Sequence, residues 1–470
     1  MVTMHKSLLV LALLVGCGDD GVHHLPDAPG GPDAATPDAP TSGAVTLTVT
    51  QDGAPRVGVD VYFLAADNAL VAKVPTNAQG VASAVMGLGG SVTAIDPFAL
   101  KSSGRDLRTF VGVKPGDTLR LTTGGTAAQS VATNFTLVLP TDAFASSYEV
   151  HTNCGYLFFS SGGGSGSGSG NAIGGPSTLY GCGATIDILL ETFDGNGAAL
   201  GAIYKTGVAL TEGSTIDLTA DAYTTPVPTA TVNWANIPAA YTQMNARVGL
   251  ASSKGFLRDI FLNPDPVAAG ATTVTFPRPT VTGGIAITQS QPAPTNFIGQ
   301  QTIMDWAPQG TAPVAIDLAN ALLPTYSTTP SVSPATRTVT WAASAGASPD
   351  FAWATLSADR LVGQSSTSWD WSIVVPYSST TFTLPTLPAE IADLNFMATD
   401  TVNIFELITA KVPGGYDAVR ADILTSNGPQ QFVLGASGRI VFEAMDFQPS
   451  ARTVPSLRTW TSRPAYARRK

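Results

Sequence analysis

Short stretches of this chain alternate between apolar and polar residues at every second position, and this period constrains the fold more than any other feature. Val45, Leu47 and Val49 alternate with threonine, which is the period of a half-buried β-strand. Similar short runs continue as far as Ile440 to Phe447, and glycine- and proline-rich turns separate them. We therefore predict an all-β fold built from several β-sandwich domains in tandem.

The composition supports the same fold and argues against one class of partner. Only 12% of the 470 residues are charged, about half the usual share, so Ser, Thr, Asn, Gln and Gly must form much of the surface. The net charge of −10 disfavours nucleic-acid binding through the overall field. The basic end, Arg463 to Lys470, is interpreted as a solvated tip, with contact to anionic lipid or polymer as the alternative.

The first residues have the layout of a secretory signal peptide, because Lys6 precedes an apolar run from Leu8 to Val15. This run is too short to span a bilayer as a mature helix. It ends in Leu14-Val15-Gly16-Cys17, which resembles the lipobox of bacterial lipoproteins. The resemblance implies that residues 1–16 are removed and that the Cys17 thiol carries the lipid. An ordinary signal peptide with a chance cysteine is the alternative.

Residues 17–43 are predicted to be the lipidated cysteine and a disordered tether. The segment repeats Pro-Asp-Ala three times and has almost no large apolar side chains, so it cannot offset the entropy of ordering. Its composition resembles the tethers of myxobacterial lipoproteins. By resemblance to enteric lipoproteins, Gly18 directly after Cys17 permits sorting to the outer membrane. We expect a cell-envelope protein, anchored through lipid and located at the outer membrane.

Residues 44–126 carry the clearest domain pattern. A Gly53-Ala54-Pro55 turn leads to the strand Val57 to Phe63, and a hairpin turn follows at Thr76-Asn77-Ala78-Gln79-Gly80. This order resembles carboxypeptidase-regulatory-like and bacterial Ig-like domains. The resemblance implies an Ig-like β-sandwich without catalytic activity. The rest of the chain is predicted to form β-domains at residues 127–227, 228–325 and, rich in tryptophan, 326–470.

The chain has three cysteines, and lipidation of Cys17 leaves Cys154 and Cys182 as one pair. Disulfides persist in the compartments that exported proteins reach. We therefore predict a disulfide that closes the Gly/Ser-rich loop of residues 160–175. Two reduced cysteines in separate strands are the alternative. Two cysteines are too few to form a structural zinc site by themselves.

Histidine is scarce, which excludes several familiar active sites. Of the four histidines, only His151 falls in the predicted folded part. Ser-His-Asp and multi-histidine zinc sites therefore lack members. We interpret His151 as a surface residue at the end of a strand. Glu191 and Asp194 are close in sequence and are one candidate catalytic pair, but solvated carboxylates are the favoured interpretation.

The other acidic residues and the turn motifs also give no indication of an active site or a calcium site. A glycosidase needs two carboxyl groups that face one cleft, and the sequence does not indicate that Asp350, Asp359 and Asp370 converge. The segment Asp194-Gly195-Asn196-Gly197 is predicted to be a hairpin turn, because the spaced ligands of an EF-hand calcium loop are missing.

Trp369 and Trp371 lie two residues apart and so share one face of a strand. Ile373 and Val375 continue that face, which favours a position in the core. If they were exposed, the pair would be a stacking platform for a sugar ring.

Taken together, these features predict a non-enzymatic binding or structural module of the cell envelope, such as an adhesion or scaffold protein. An extracytoplasmic carbohydrate-binding protein or a carboxylate-dependent hydrolase is the alternative. We expect no catalytic residue, no cofactor, no metal and no nucleic-acid partner. The membrane is expected to be reached through the lipid, and the ligand, protein or polysaccharide, stays open.

Overall fold

A computed structural model gives the fold, and it describes residues 41–51, 54–96, 105–123, 131–160, 172–262, 267, 269–294, 299–310, 314–424 and 437–446. The signal peptide, Cys17, residues 18–40 of the predicted tether and the basic tip lie outside the described residues. Residues 41–43 are described, and the first strand begins at Ser42, so the prediction of disorder is wrong for the last two residues of the tether. Most of the Gly/Ser-rich loop and Gly53 lie outside them as well.

The described residues form 29 strands joined mainly by short turns. In chain order they are β1 Ser42–Gln51, β2 Ala54–Pro55, β3 Asp60–Leu64, β4 Leu70–Pro75, β5 Val81–Gly87, β6 Gly90–Asp96, β7 Arg105–Val113, β8 Thr118–Thr123, β9 Ala132–Pro140, β10 Ser147–Thr152, β11 Gly155–Ser160, β12 Ala172–Tyr180, β13 Thr185–Phe193, β14 Ala199–Ala209, β15 Thr215–Asp217, β16 Thr229–Ile237, β17 Tyr241–Ser252, β18 Gly255–Phe261, β19 Gly270–Pro277, β20 Ile285–Pro294, β21 Gln300–Pro308, β22 Val314–Asp317, β23 Ser331–Ser333, β24 Thr338–Thr340, β25 Phe351–Val362, β26 Ser365–Pro376, β27 Thr381–Thr383, β28 Thr401–Lys411 and β29 Gly438–Asp446.

Helices are few and short in this part of the chain. The α-helices are α1, Leu318–Ala321, and α2, Gly415–Val419, and one 3₁₀ turn spans Ala389–Leu394. Asp317 caps α1 by accepting a hydrogen bond from the Ala319 backbone N–H at 3.0 Å. The all-β prediction is confirmed.

One large sheet organises the fold. Its twelve strands run in the order β18-β17-β20-β21-β29-β28-β25-β26-β7-β6-β3-β4. All neighbours are antiparallel except β26 and β7, which pair in parallel with Trp371 opposite Leu107. The sheet therefore contains strands from three of the predicted domains, at residues 44–126, 228–325 and 326–470.

Smaller sheets cover parts of this large sheet and close three apolar cores. The sheet of β2, β1, β5 and β8 buries Leu47 and Val49 beside Phe63 of the large sheet. The sheet of β19, β16 and β22 buries Trp234 in a second core, with Val248 of β17. The sheet of β23, β24 and β27 contributes to a third core, beside the tryptophans of β26.

Residues 127–227 form a sandwich with two sheets of its own. One sheet runs β12-β9-β15 and the other β11-β10-β13-β14. Between them lies a core that contains Leu137, Tyr148 and Ile188. The described residues from Ser42 onward form a single compact unit, because the shared sheet crosses the predicted boundaries. The exact domain limits stay a prediction.

The hairpin turn predicted at residues 76–80 is confirmed. Asn77 Oδ1 accepts hydrogen bonds from the backbone N–H groups of Gln79, at 2.9 Å, and Val81, at 3.0 Å. Gly80 adopts φ +73°, a left-handed conformation that favours glycine. Asn77 therefore accepts the backbone hydrogen bonds of the turn, the role of the acidic residue in similar turns.

Candidate functional site: a closed carboxylate–histidine cluster

The sequence-predicted site that the structure describes most fully is the cysteine pair. A disulfide joins Cys154, directly before β11, to Cys182, two residues after the end of β12, and their Cα atoms are 5.4 Å apart. It ties together two strands that belong to opposite sheets of the sandwich. The predicted disulfide is therefore present. Cys17 lies outside the described residues, so its lipidation stays a prediction.

The outer face of β10 and β13 carries ionisable side chains that strand register brings together. Glu149 lies directly opposite Glu191 in the antiparallel pair β10–β13. Because side chains alternate along a strand, Glu149 and His151 share this face. His151 Nε2 lies 3.2 Å from Glu149 Oε2 and 3.6 Å from Glu191 Oε2. We name Glu149, His151, Glu191 and Arg258 the carboxylate–histidine cluster.

Arg258 reaches this cluster from the other side of an interface. It lies on β18, the end strand of the large sheet, and its Nη1 forms an ion pair with Glu191 Oε1. The guanidinium also lies over the Phe193 ring, 5.5 Å from the ring centre, a cation–π geometry. The cluster therefore links the sandwich of residues 127–227 to the large sheet.

A second ion pair crosses the same interface. Asp187 of β13 is fully buried and accepts hydrogen bonds from Thr206 Oγ1 and the Gly207 N–H, both at 2.8 Å. Lys254, in the turn before β18, places its Nζ 3.6 Å from Asp187 Oδ1. Burial alone would raise the pKa of Asp187, but a hydrogen bond from Ser252, the two donors above and the charge of Lys254 outweigh it and lower the pKa.

The two glutamates of the cluster differ in their pKa values. Burial raises the pKa of Glu191 to about 7, against the opposing charge of Arg258 and with a further contribution from Glu149. Burial also acts to raise the pKa of Glu149, but interactions with His151 and Arg258 outweigh it, so this pKa is lowered. One buried acid next to one ionised acid is the arrangement that acid–base enzymes use.

Access decides what this cluster can do. Glu191 has no exposed surface, and His151 is 4% exposed. Arg258 occupies one oxygen of Glu191 and burial closes the other, so a substrate could not approach that carboxylate. A glycosidase needs both carboxyl groups beside an open cleft. The cluster is therefore a closed structural element of the interface.

Sequence reasoning placed His151 at the surface, and this expectation is wrong. The residue lies near the end of β10, but β18 covers that face. Glu149 and Arg258 were missed altogether. The alternation of Glu149 and His151 in Tyr148-Glu149-Val150-His151 was a signal that both share a face. No local pattern connects Arg258 to them, since 67 residues separate it from Glu191.

The other predicted carboxylate sets do not form a described cleft. Asp350 precedes β25 and accepts a hydrogen bond from the Val412 N–H at 2.8 Å. It is nine residues from Asp359 along an extended strand, a separation of about 30 Å. Asp359 and Asp370 are diagonal neighbours on the β25–β26 hairpin, and Asp359 is exposed.

The turn and tryptophan predictions are both confirmed. Asp194 Oδ1 accepts hydrogen bonds from the N–H groups of Asn196, at 2.9 Å, and Ala198, at 2.8 Å, which is a hairpin turn. Trp369 and Trp371 are both buried, 1% and 0% exposed. Trp371 Nε1 donates to Thr109 Oγ1 of β7 at 2.9 Å. The pair belongs to the core and is not accessible to a sugar ring.

Two open clefts occur elsewhere on the described surface. One, of about 430 Å³, is lined by Tyr241, Leu323 and Ser344 among others. The other, of about 340 Å³, contains Asp60 and Lys73, whose charges neutralise each other at 2.9 Å. Among the described residues, no three His, Cys, Asp or Glu side chains are placed to hold a metal ion.

Comparison with known proteins does not assign a family. No protein-family model and no curated protein matches the chain. Solved structures with local similarity include the Bacillus anthracis TIE protein (11% identity over 59% of this chain and 50% of that chain, TM-score 0.16). They also include BcpA, the major pilin subunit of Bacillus cereus (11% identity over 59% of this chain and 98% of that chain, TM-score 0.15). A streptococcal ancillary pilin is a third (8% identity over 59% of this chain and 98% of that chain, TM-score 0.15).

The chain spans half the length of the TIE protein, and all three TM-scores are too low to carry an argument. In the part of the chain described above, no helix has the length and apolar character needed to cross a bilayer.

Proposed function

We propose that this chain is a lipid-anchored cell-envelope protein whose folded region is a non-enzymatic binding or structural module. The closure of the carboxylate–histidine cluster carries the non-enzymatic part of the proposal. Strand register brings Glu149 and Glu191 together as a hydrolase would require, but the pair is used to hold two sheets against each other. A buried ion pair of this kind contributes to a defined arrangement of the sheets rather than to turnover.

Export is supported by two independent features. The signal-peptide pattern ends in Leu14-Val15-Gly16-Cys17. The Cys154–Cys182 disulfide is a bond of the kind that forms and persists in oxidising compartments. Lipid at Cys17 and sorting to the outer membrane rest on the resemblance to bacterial lipoproteins. At about 0.8 kcal/mol for each buried CH₂, several acyl chains would hold the protein essentially permanently.

The burial of two sites speaks against the alternatives. A sugar-binding platform at Trp369 and Trp371 requires exposed rings, and both rings are in the core. A hydrolase that uses Glu191 requires an approach to its carboxylate, and Arg258 fills that position. The module is therefore proposed to act through its sheet surfaces and its placement in the envelope.

Metabolic labelling with palmitate tests the anchor. We expect label in the membrane fraction for the native chain and none for Cys17→Ser, which should also stay unprocessed. The double variant Cys154→Ser/Cys182→Ser is the matched control, because it removes two thiols and keeps Cys17. Label that persists in Cys17→Ser would contradict the anchor.

A separate assay tests the non-enzymatic part. The purified chain is incubated with envelope polysaccharides, and released reducing ends are measured. We expect none above background. Release that disappears in Glu191→Gln but persists in Asp359→Asn would establish the hydrolase alternative instead.

A further inference from the structure

β11 is an edge strand without the features that normally protect such an edge. It is the end strand of the sheet β11-β10-β13-β14, and its sequence is Gly-Tyr-Leu-Phe-Phe-Ser. It has no charged residue and no proline. Four consecutive large apolar residues, Tyr156 to Phe159, are the longest such run among the described edge strands.

The side chains of β11 alternate between the core and the surface. Leu157 and Phe159 pack partly buried against the sandwich core. Phe158, between them, points to the opposite face and is 56% exposed. Among the described residues, no strand pairs with the outer edge of β11. A phenylalanine exposed to this extent on such an edge favours contact with a further strand.

Several other edges of the described sheets carry protecting residues. β4 carries Lys73 and Pro75, and β12 carries Pro176. β18 carries the charged pair Arg258 and Asp259. Charges and prolines on an edge strand are the means by which β-proteins prevent strand addition. The edge strand β5 also lacks them, but it has no aromatic residue. β11 is distinguished because it combines their absence with an exposed phenylalanine.

We propose that β11 is a self-association site, at which the β11 strands of two copies of this chain pair antiparallel. The proposal does not depend on the proposed function. Charge favours a second copy at this position. Each copy carries a net charge of −10, so most faces repel their equivalents, whereas an uncharged strand can face itself without like-charge contacts.

Both cores lie on the same side of the joined sheet only when core-facing residues of one copy pair with core-facing residues of the other. The numbers of two facing residues must then add up to an even number. One such register places Phe158 opposite Phe158 of the second copy and Leu157 opposite Phe159. Cross-strand aromatic pairs and aromatic–aliphatic pairs stabilise antiparallel strands. The joined sheet would contain eight strands, four from each copy.

Cysteine crosslinking of the full chain in cells tests this pairing directly. Phe158→Cys should give a disulfide-linked dimer on mild oxidation, seen as a band of doubled mass on a non-reducing gel. Phe144→Cys is the matched control, because Phe144 is 82% exposed and lies outside any strand. A crosslink with Phe144→Cys but not with Phe158→Cys would overturn the proposal.

A mass measurement provides the second readout. The full chain in detergent, measured by light scattering with the detergent subtracted, should have twice the mass of one chain. Phe158→Lys should halve this mass, and Phe144→Lys should leave it unchanged. Because Phe158 is more than half exposed, the lysine variant should keep the β-rich circular dichroism spectrum. A native chain that stays monomeric, or a lysine variant that stays dimeric, would refute β11 pairing.

Discussion

Glu191 and Arg258 form an ion pair across the boundary between two sheets, and one of its members has no exposed surface at all. The two residues come from β13 and β18, which belong to different sandwiches. Removing a charge from water costs several kcal/mol, which only a close partner offsets. Each residue is therefore needed to make the burial of the other tolerable.

Loss of Arg258 alone should destabilise the protein strongly. Arg258→Met leaves Glu191 buried without its cation, and we expect a loss of about 3–5 kcal/mol in the free energy of unfolding near pH 8. Urea denaturation followed by tryptophan fluorescence measures this loss. The double variant Arg258→Met/Glu191→Gln should recover a large part of it. Arg105→Met, at the exposed partner of Asp393, is the control and should change little.

Glu443 should make stability depend on pH. Its side chain is fully buried, and burial raises its pKa to about 8, although the Gln301 amide and the Tyr326 backbone N–H act to lower it. A carboxyl group whose pKa is raised by folding stays protonated in the folded protein at pH values where the unfolded chain has lost the proton. Its contribution to the free energy of unfolding is therefore largest below the pKa of the unfolded chain. That contribution is lost as the pH rises towards about 8, at up to about 1.4 kcal/mol per pH unit.

The variant Glu443→Gln isolates this effect, since it keeps the shape and cannot ionise. The difference in unfolding free energy between Glu443→Gln and the native chain should grow in favour of the variant as the pH rises from 5 to about 8. Asp359→Asn, at an exposed carboxylate, should show a nearly constant difference over the same range. A constant difference for Glu443→Gln as well would mean that Glu443 is not buried in its neutral form.

The disulfide should stabilise the sandwich of residues 127–227. Cys154 and Cys182 are 28 residues apart, and closing a loop of this length is worth about 3–4 kcal/mol in the chain-entropy description. The variant Cys154→Ser/Cys182→Ser should therefore unfold at lower urea. Mass spectrometry of a non-reduced digest should show the two peptides linked in the native chain, and full alkylation of both thiols would rule the bond out.

Trp371 should behave as a core residue. Trp371→Ala removes a fully buried indole and its hydrogen bond to Thr109, so we expect a loss of about 3–5 kcal/mol. The near-ultraviolet circular dichroism signal should weaken with it. Binding to a glycan array should be the same for the native chain and for the milder variant Trp371→Phe. Glycan binding that only the native chain shows would indicate an exposed ring.

The local pattern of the sequence predicts the strands well. The alternation at Val45, Leu47 and Val49 places all three in one core, and Trp369 and Trp371 follow the same rule. The Asn77 turn is also local, because its hydrogen bonds span at most four residues. Period and turn chemistry are properties of short windows, so one sequence suffices to recognise them.

The arrangement of the strands and the charge cluster could not be predicted in this way. The pairing of β7 with β26 joins distant residues, and no short window contains both strands. The position of His151 depends on β18, which covers β10 from outside the sandwich. Packing between sheets decides whether a polar residue on a strand is solvated or buried, and the strand's own sequence does not contain that information.

The parallel pairing of β7 with β26 has a consequence for how the chain reaches its final form. Arg108 of β7 bonds Ser372 of β26, 264 residues further along the chain. A polypeptide synthesised from its amino end completes β7 long before β26 becomes available. Contacts of such long range make the search for the native state slow, and partly assembled sheets are prone to aggregate. The amino-terminal strands therefore lack one neighbour until nearly the whole chain is present, and aggregation should compete with folding at this stage.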